Sequence, residues 1–280
     1  MKHIKRTEAY TGLMNDPDGS FLSSITDYDR DGRVVLSENY TPESEFEQKT
    51  VIKYDENGNI AEEIEYLDEE NIAEHTYFVQ NKDGELIEQK KEYADGSISY
   101  IKYNRDKEQG TLEIKTIDDD DELEEREFHQ FDKKGNLLVK EIFDWNNKLK
   151  EKYENTFNDA NQICRQKETQ VNARTVLESE LSFDESDRVV SQITRNQKGE
   201  ITHKILIAYD EKGRIIKQQI GNAYIINTIF DDENRMETEQ QVNAGGVIES
   251  ERIRKMDEDG NLLQLSDGAT EITYKYQLWD

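Results

Sequence analysis

Two hundred and eighty residues carry 36 Lys and Arg against 63 Asp and Glu, a formal net charge of −27, with 35% charged and only 34% hydrophobic residues. A compact globule draws nearly half its residues from the apolar set, so a thick central core is excluded and order has to come from thin, regular layers. The acidity also argues against nucleic acid and anionic membrane surfaces as partners, since both reward clustered Lys and Arg.

The chain opens on Met1-Lys2-His3-Ile4-Lys5-Arg6, basic but with no apolar stretch behind it, so it does not read as a secretory signal. Residues 1–14 are taken as a lead-in or cap. From 15 to 280 one unit recurs. Tyr28-Asp29-Arg30-Asp31-Gly32-Arg33 returns as Tyr54-Asp55-Glu56-Asn57-Gly58-Asn59, Phe131-Asp132-Lys133-Lys134-Gly135-Asn136, Tyr209-Asp210-Glu211-Lys212-Gly213-Arg214 and Met256-Asp257-Glu258-Asp259-Gly260-Asn261. Weaker copies lie at Asn81 to Gly84, at Gly110, and behind Phe157, Phe183 and Phe230. The turn positions 32, 58, 84, 110, 135, 161, 187, 213, 234 and 260 are almost all 25 or 26 residues apart. Gly32, Gly58, Gly84, Gly135, Gly213 and Gly260 supply the left-handed backbone a tight reversal needs, and Asn161, Asp187 and Asn234 stand in where Gly is missing.

A second turn falls midway in most units, at Asp95-Gly96, Asn146-Asn147, Asn172-Ala173, Gln197-Lys198-Gly199, Gly245-Gly246 and Asp267-Gly268. The segments between turns alternate with period two, as in Ile60, Glu62, Ile64 and Tyr66 on one face, and period two means strand. The 14 Tyr suit a pleated, half-buried surface, and only two Pro, Pro17 and Pro42, interrupt the chain. The expected fold is all-β: one repeat-built domain over 1–280, an elongated array of about twenty strands in antiparallel hairpins. It would be an open twisted sheet or a β-solenoid or shell segment, with charge guarding its edges. The acidic run Asp118 to Glu127 reads as a solvated loop replacing a mid-unit turn, with an exposed helix start as the alternative. The longest apolar runs, such as Ile205-Leu206-Ile207-Ala208, are too short to span a bilayer, and a lone Cys164 makes no intramolecular disulfide. A cytoplasmic protein is expected.

The Tyr-Asp-x-x-Gly-Arg unit, best matched at Tyr28 and Tyr209, with the aromatic lead-in Tyr274-Lys275-Tyr276, resembles the YD (RHS-like) repeat over residues 15–280. The resemblance implies curved or spiralling antiparallel sheet, which forms a shell in the family's large toxin and teneurin-like members. This chain departs from those in its 26-residue period and in having no recognisable self-cleavage segment or C-terminal toxin-like domain. Fold-level likeness does not transfer a job.

Asp27-Tyr28-Asp29-Arg30-Asp31-Gly32 through Glu38 satisfies the spacing of a calcium loop, with Asp27, Asp29, Asp31 and Glu38 as ligands. It is also the first copy of the repeat, and other copies put Lys53, Gln130, Ala208 and Lys255 at the first ligand position, so coincidence is the preferred reading. His3, His75, His129 and His203 lack the spacing of a zinc site. No nucleophile elbow, P-loop or dinucleotide fingerprint is present. Tyr28, Tyr54, Phe131, Phe157, Phe183, Tyr209 and Phe230 read as packing between repeats rather than a sugar-stacking stripe. No catalytic residue and no cofactor is assigned. The expected function is a non-enzymatic interaction protein whose acidic surface recognises a basic protein, as a toxin-neutralising (immunity-like) protein or an effector chaperone. The alternatives are a calcium- or carbohydrate-binding β module and a structural subunit of a larger assembly.

Overall fold

A computed structural model describes residues 3–14 and 16–280, without the side chains of Pro17 and Asp18. The first two residues of the expected lead-in, and Asn15 where the repeats were expected to begin, lie outside the described residues. Twenty-two strands follow one another with no helix among the described residues. They begin with β1 (Ile4–Leu13), β2 (Asp16–Tyr28), β3 (Val34–Tyr40), β4 (Phe46–Tyr54), β5 (Ile60–Tyr66), β6 (Ile72–Gln80) and β7 (Leu86–Tyr93). The middle holds β8 (Ile98–Asp106), β9 (Thr111–Asp118), β10 (Leu123–Phe131), β11 (Leu137–Asp144), β12 (Leu149–Phe157), β13 (Ile163–Gln170), β14 (Thr175–Phe183) and β15 (Val189–Asn196). The last are β16 (Ile201–Tyr209), β17 (Ile215–Ile220), β18 (Tyr224–Asp231), β19 (Met236–Asn243), β20 (Ile248–Met256), β21 (Leu262–Ser266) and β22 (Thr270–Leu278).

The chain divides into two compact units, one of Met1–Phe78, Lys91–Gly96 and Ile225–Asp280, the other of Val79–Lys90 and Ser97–Tyr224. In the first, antiparallel pairing runs without a break from β19 through β20, β21 and β22 to β1, and on through β2, β3, β4 and β5 to β6. In the second it runs from β8 to β17, each strand beside the next in sequence.

All 22 strands belong to one sheet. The expectation of an open sheet or solenoid is corrected by one pairing: β1 bonds to β22 along its whole length, Ile4 opposite Leu278 to Leu13 opposite Thr270. The sheet is therefore closed, a β-barrel by its strand pairing, and the first and last strands shield each other's edges rather than relying on charge. Residues 4–13 of the expected lead-in are thus a full strand of the sheet. The sequence held no local signal for this pairing, because its partners are more than 250 residues apart.

The alternation read from the sequence appears as cross-strand rows, such as Leu36, Val51, Ile64 and His75 on adjacent strands of the first unit. The core is as thin as the composition requires. Among the described residues Ala9, Ile64, Leu112 and Ile117 are the buried apolar residues, and Thr76, Ser99, Thr194 and Ser266 are buried as well. Charge pairs occupy some of the other rows. In the second unit Lys152 lies 3.4 Å from Glu141 and 3.5 Å from Glu154, and Lys167 lies 3.6 Å from Glu154. Opposite charges facing across strands contribute roughly 0.2–1 kcal/mol each, a gain spread along the sheet.

Candidate functional site

The acidic residues divide between two jobs, and the turn chemistry separates them. At the β10–β11 turn Asp132 accepts the backbone N–H groups of Lys134 and Asn136 at 2.8 and 2.9 Å, and its other oxygen accepts the Asn136 side-chain amide at 2.8 Å. Asp55, Asp184, Asp210 and Asp257 repeat this pattern with Asn59, Arg188, Arg214 and Asn261. The side chain four residues on, together with these N–H groups, holds the Asp55, Asp132, Asp184 and Asp257 carboxyls below the usual range. These carboxylates are committed to shaping turns.

Asp29 belongs with them. Its oxygens accept Asp31 N–H at 2.9 Å, Arg33 N–H at 3.0 Å and Arg33 Nε–H at 2.8 Å. Asp27 is clasped by Arg6 at 2.6 and 2.7 Å, Asp31 accepts Arg33 at 2.9 Å, and Glu38 accepts the Tyr40 hydroxyl at 2.8 Å. Each of the four calcium-loop candidates thus has its own protein partner, and no metal-ligating group of three or more is gathered among the described residues. Two of the four histidines also face carboxylates: His75 lies 3.1 Å from Glu62 and stacks on Tyr77, and His129 lies 2.9 Å from Glu127.

The six turn glycines have φ between 78° and 87°, and Asn161 and Asp187 take the same left-handed backbone. Where Asn234 was expected to do so, Arg235 does, and in the Asn172-Ala173 turn it is Arg174. The acidic run after Asp118 is a short turn of the same kind, with Asp121 at positive φ and Asp118 accepting Asp120 and Glu122 N–H groups. Strand β10 follows at Leu123, so neither a longer loop nor a helix forms.

The repeat aromatics Tyr28, Tyr54, Phe131, Phe157, Phe183, Tyr209 and Phe230 are all half-buried at or near the ends of strands running into these turns. Arg33 lies over the Tyr54 ring and Arg188 over the Tyr209 ring, each 4.5 Å from the centroid, and Arg105 is 5.8 Å from that of Phe131. Tyr54, Phe131 and Tyr209 thus each lie against an Arg of the preceding unit.

A second set of acidic residues, of which Asp68 and Asp267 also hold their own turns, lies at one edge of the first unit. Because the strands of the first unit alternate in direction, the connections 243–247, 267–270, 13–16, 41–45, 67–71 and 94–96 share one edge of its sheet, in that order. They contain Asp16, Glu43, Glu45, Asp68, Glu69, Glu70, Asp95 and Asp267 and not one Lys or Arg. The turns at the opposite edge are acidic too, with Asp29, Asp31, Asp55, Glu56, Asp232, Glu233, Asp257, Glu258 and Asp259, but they also carry Arg30, Arg33 and Arg235. Glu43, Glu45, Glu69 and Glu70 are exposed and enter no ion pair among the described residues.

The same edge is apolar as well as acidic. Leu13, Leu67 and Val247 are 61%, 67% and 61% exposed, and Met14, Ile72, Tyr93 and Ile248 are exposed beside them. Scattered single apolar residues are ordinary, but a row of them rimmed by charge marks an interaction surface. Sequence reasoning missed this edge because its residues come from six separate turns. The signal within reach was the absence of Lys and Arg from those turns.

Neither a family model nor a curated protein sequence matches this chain. Among solved structures it is similar to TcdB2-TccC3, at 12% identity over 88% of this chain and 15% of that one, with a TM-score of 0.45. It is also similar to the Photorhabdus luminescens Tc holotoxin pore, at 15% identity over 90% of this chain and 15% of that one, TM-score 0.35. A third likeness is to a porin-like protein from Bacteroides uniformis, at 8% identity over 98% of both chains, TM-score 0.33. The chain thus spans about 15% of the length of the Tc toxin chains it resembles. Likenesses this remote assign neither a family nor an activity.

Proposed function

We propose that this chain is a non-enzymatic, YD-like repeat protein that binds a basic protein through the acidic, apolar-studded edge of its first unit. The observation that carries the reading is the coincidence, on six neighbouring turns, of Asp and Glu without Lys or Arg and of seven exposed large apolar side chains from Leu13 to Ile248. Charge of one sign steers a partner and fixes its orientation, while desolvated apolar contacts supply most of the affinity. A basic, amphipathic surface is the complement. A toxin-neutralising or effector-chaperone role in the cytoplasm is the concrete form of this proposal, since a basic effector is held inactive when such a surface is covered.

The test is isolation of the tagged protein from its native cells at low salt, with the co-eluting proteins identified by mass spectrometry. A basic protein at near-stoichiometric amount, released by high salt, supports the reading. Copurification of nothing, or only of further copies of the chain, defeats it.

A further inference from the structure

Tyr54, Tyr209 and Tyr276 hold equivalent places in the first, second and first unit respectively. Each donates its hydroxyl to the carbonyl of the first residue of the preceding strand: Val34 at 2.9 Å, Val189 at 2.7 Å and Leu262 at 2.6 Å. The strand registers agree, since Leu36 faces Val51, Ser191 faces Leu206 and Gln264 faces Thr273. Each tyrosine therefore stands three residues beyond the partner of the residue two past that carbonyl.

The residue just before the carbonyl differs. Arg33 and Arg188 lay a guanidinium over the ring 4.5 Å from its centroid, while Nε donates at 2.8 Å to the turn carboxylate of Asp29 or Asp184. The third copy has Asn261, which donates to its own turn carboxylate, Asp257, at 2.8 Å and is too short to cover a ring. No Arg or Lys lies over Tyr276 among the described residues.

No guanidinium or ammonium of the described residues fills that space. Trp279 folds away, its indole N–H donating to the Asp29 carbonyl at 3.1 Å and its ring lying against Lys5 and Arg30. A cavity of about 460 Å³ remains, lined by Tyr28, Tyr276, Asp257, Asp259 and Asn261 among others.

We propose that this cavity is a recognition site for the alkylguanidinium group of an arginine on another protein, which takes over Tyr276 the place that Arg33 takes over Tyr54. The chain itself supplies the precedent for ring and carboxylate together holding that group, and cation–π attraction with a nearby carboxylate is the chemistry. Asp259, at the exposed turn tip, adds a second carboxylate to the cavity wall. The site lies at the opposite end of the strands from the acidic edge, so either reading can fail without the other.

The test is titration of the full chain with ethylguanidinium, read by NMR at the Tyr276 ring, with ethylurea as the neutral isostere. N-acetylarginine methylamide and free arginine then separate a peptide-borne group from the free amino acid, whose carboxylate meets Asp257 and Asp259 unfavourably. Saturable shifts in the millimolar range with ethylguanidinium and the methylamide, weaker ones with arginine and none with ethylurea are expected. Asn261→Arg, which fills the slot from within, should abolish the response and raise the Tm. Asp259→Asn should weaken binding about threefold and carries the test if Asn261→Arg does not fold. Unsaturable shifts, an equal response to ethylurea, equal or tighter binding of free arginine, or an unchanged affinity in folded Asn261→Arg or in Asp259→Asn would overturn the proposal.

Discussion

At Gly135 the turn from β10 to β11 needs a φ of 87°, and a Cβ added there would meet nothing within 4 Å. Gly135→Ala therefore isolates the backbone cost of the left-handed conformation and should destabilise the protein by about 1 kcal/mol in urea unfolding. Gly135→Asn should cost less, because Asn161 occupies the same turn position one unit later. A different residue-scale test concerns Glu127. The hydrogen bond from His129 and, against the cost of burial, the hydrogen bond and charge of Lys140 lower its pKa to about 2. A carboxyl depressed in the folded state stabilises it above the unfolded pKa, and that contribution is lost as pH falls from about 4.5 towards 2. The urea midpoint should fall over that window, and Glu127→Gln should flatten part of the decline. At the other extreme the hydrogen bond to Glu151, with burial, raises Tyr153 to about 12. Its share of stability is present below pH 10 and is lost between pH 10 and 12, a loss that Tyr153→Phe should remove.

At the scale of the strand, the thin core makes a sharp contrast between positions that look alike in sequence. Ile64 in β5 is 7% exposed and Ile201 at the start of β16 is 53% exposed. Ile64→Ala should cost about 2–3 kcal/mol and Ile201→Ala less than about 0.5 kcal/mol, measured by chemical denaturation. The spacing of turns and the period of two were legible in the sequence because they depend on neighbours: Asp132 reaches only as far as Asn136. Substitutes were less legible. Asn234 and Arg235 both tolerate the turn, and the sequence favours the Asn, yet Asn234 donates to Asp231 at 2.9 Å and leaves the left-handed position to Arg235. The first hairpin was hidden for another reason, since its Asp-x-x-Gly signal, Asp16-Pro17-Asp18-Gly19, falls inside β2 rather than at a turn, and the pairing of β1 with β2 is broken by bulges at Ala9/Tyr10 and Thr11/Leu13.

At the scale of the whole molecule, closure rests on β1. Ala9 is 5% exposed, facing Ser24 on one side and Tyr274 on the other. Ala9→Asp buries a carboxylate at that seam and should cost about 2 kcal/mol or more, with β22 amides losing hydrogen-exchange protection before those of β9 and β10. Neither this seam nor the acidic edge was written into any one stretch of sequence. Both arise when distant segments are brought side by side, Leu13 beside Thr270 and the Glu43 turn beside the Glu69 turn.

The edge is where function is claimed, and Glu43, Glu45, Glu69 and Glu70 allow it to be changed without touching a turn-forming carboxylate such as Asp68, which accepts the Glu70 and Asn71 N–H groups. The decisive measurement compares wild type with the variant carrying Glu→Gln at those four positions, both purified from native cells at low salt. The account predicts that the basic protein held by wild type is lost from the variant, at equal Tm. Retention of the same protein at the same stoichiometry by the variant would contradict it.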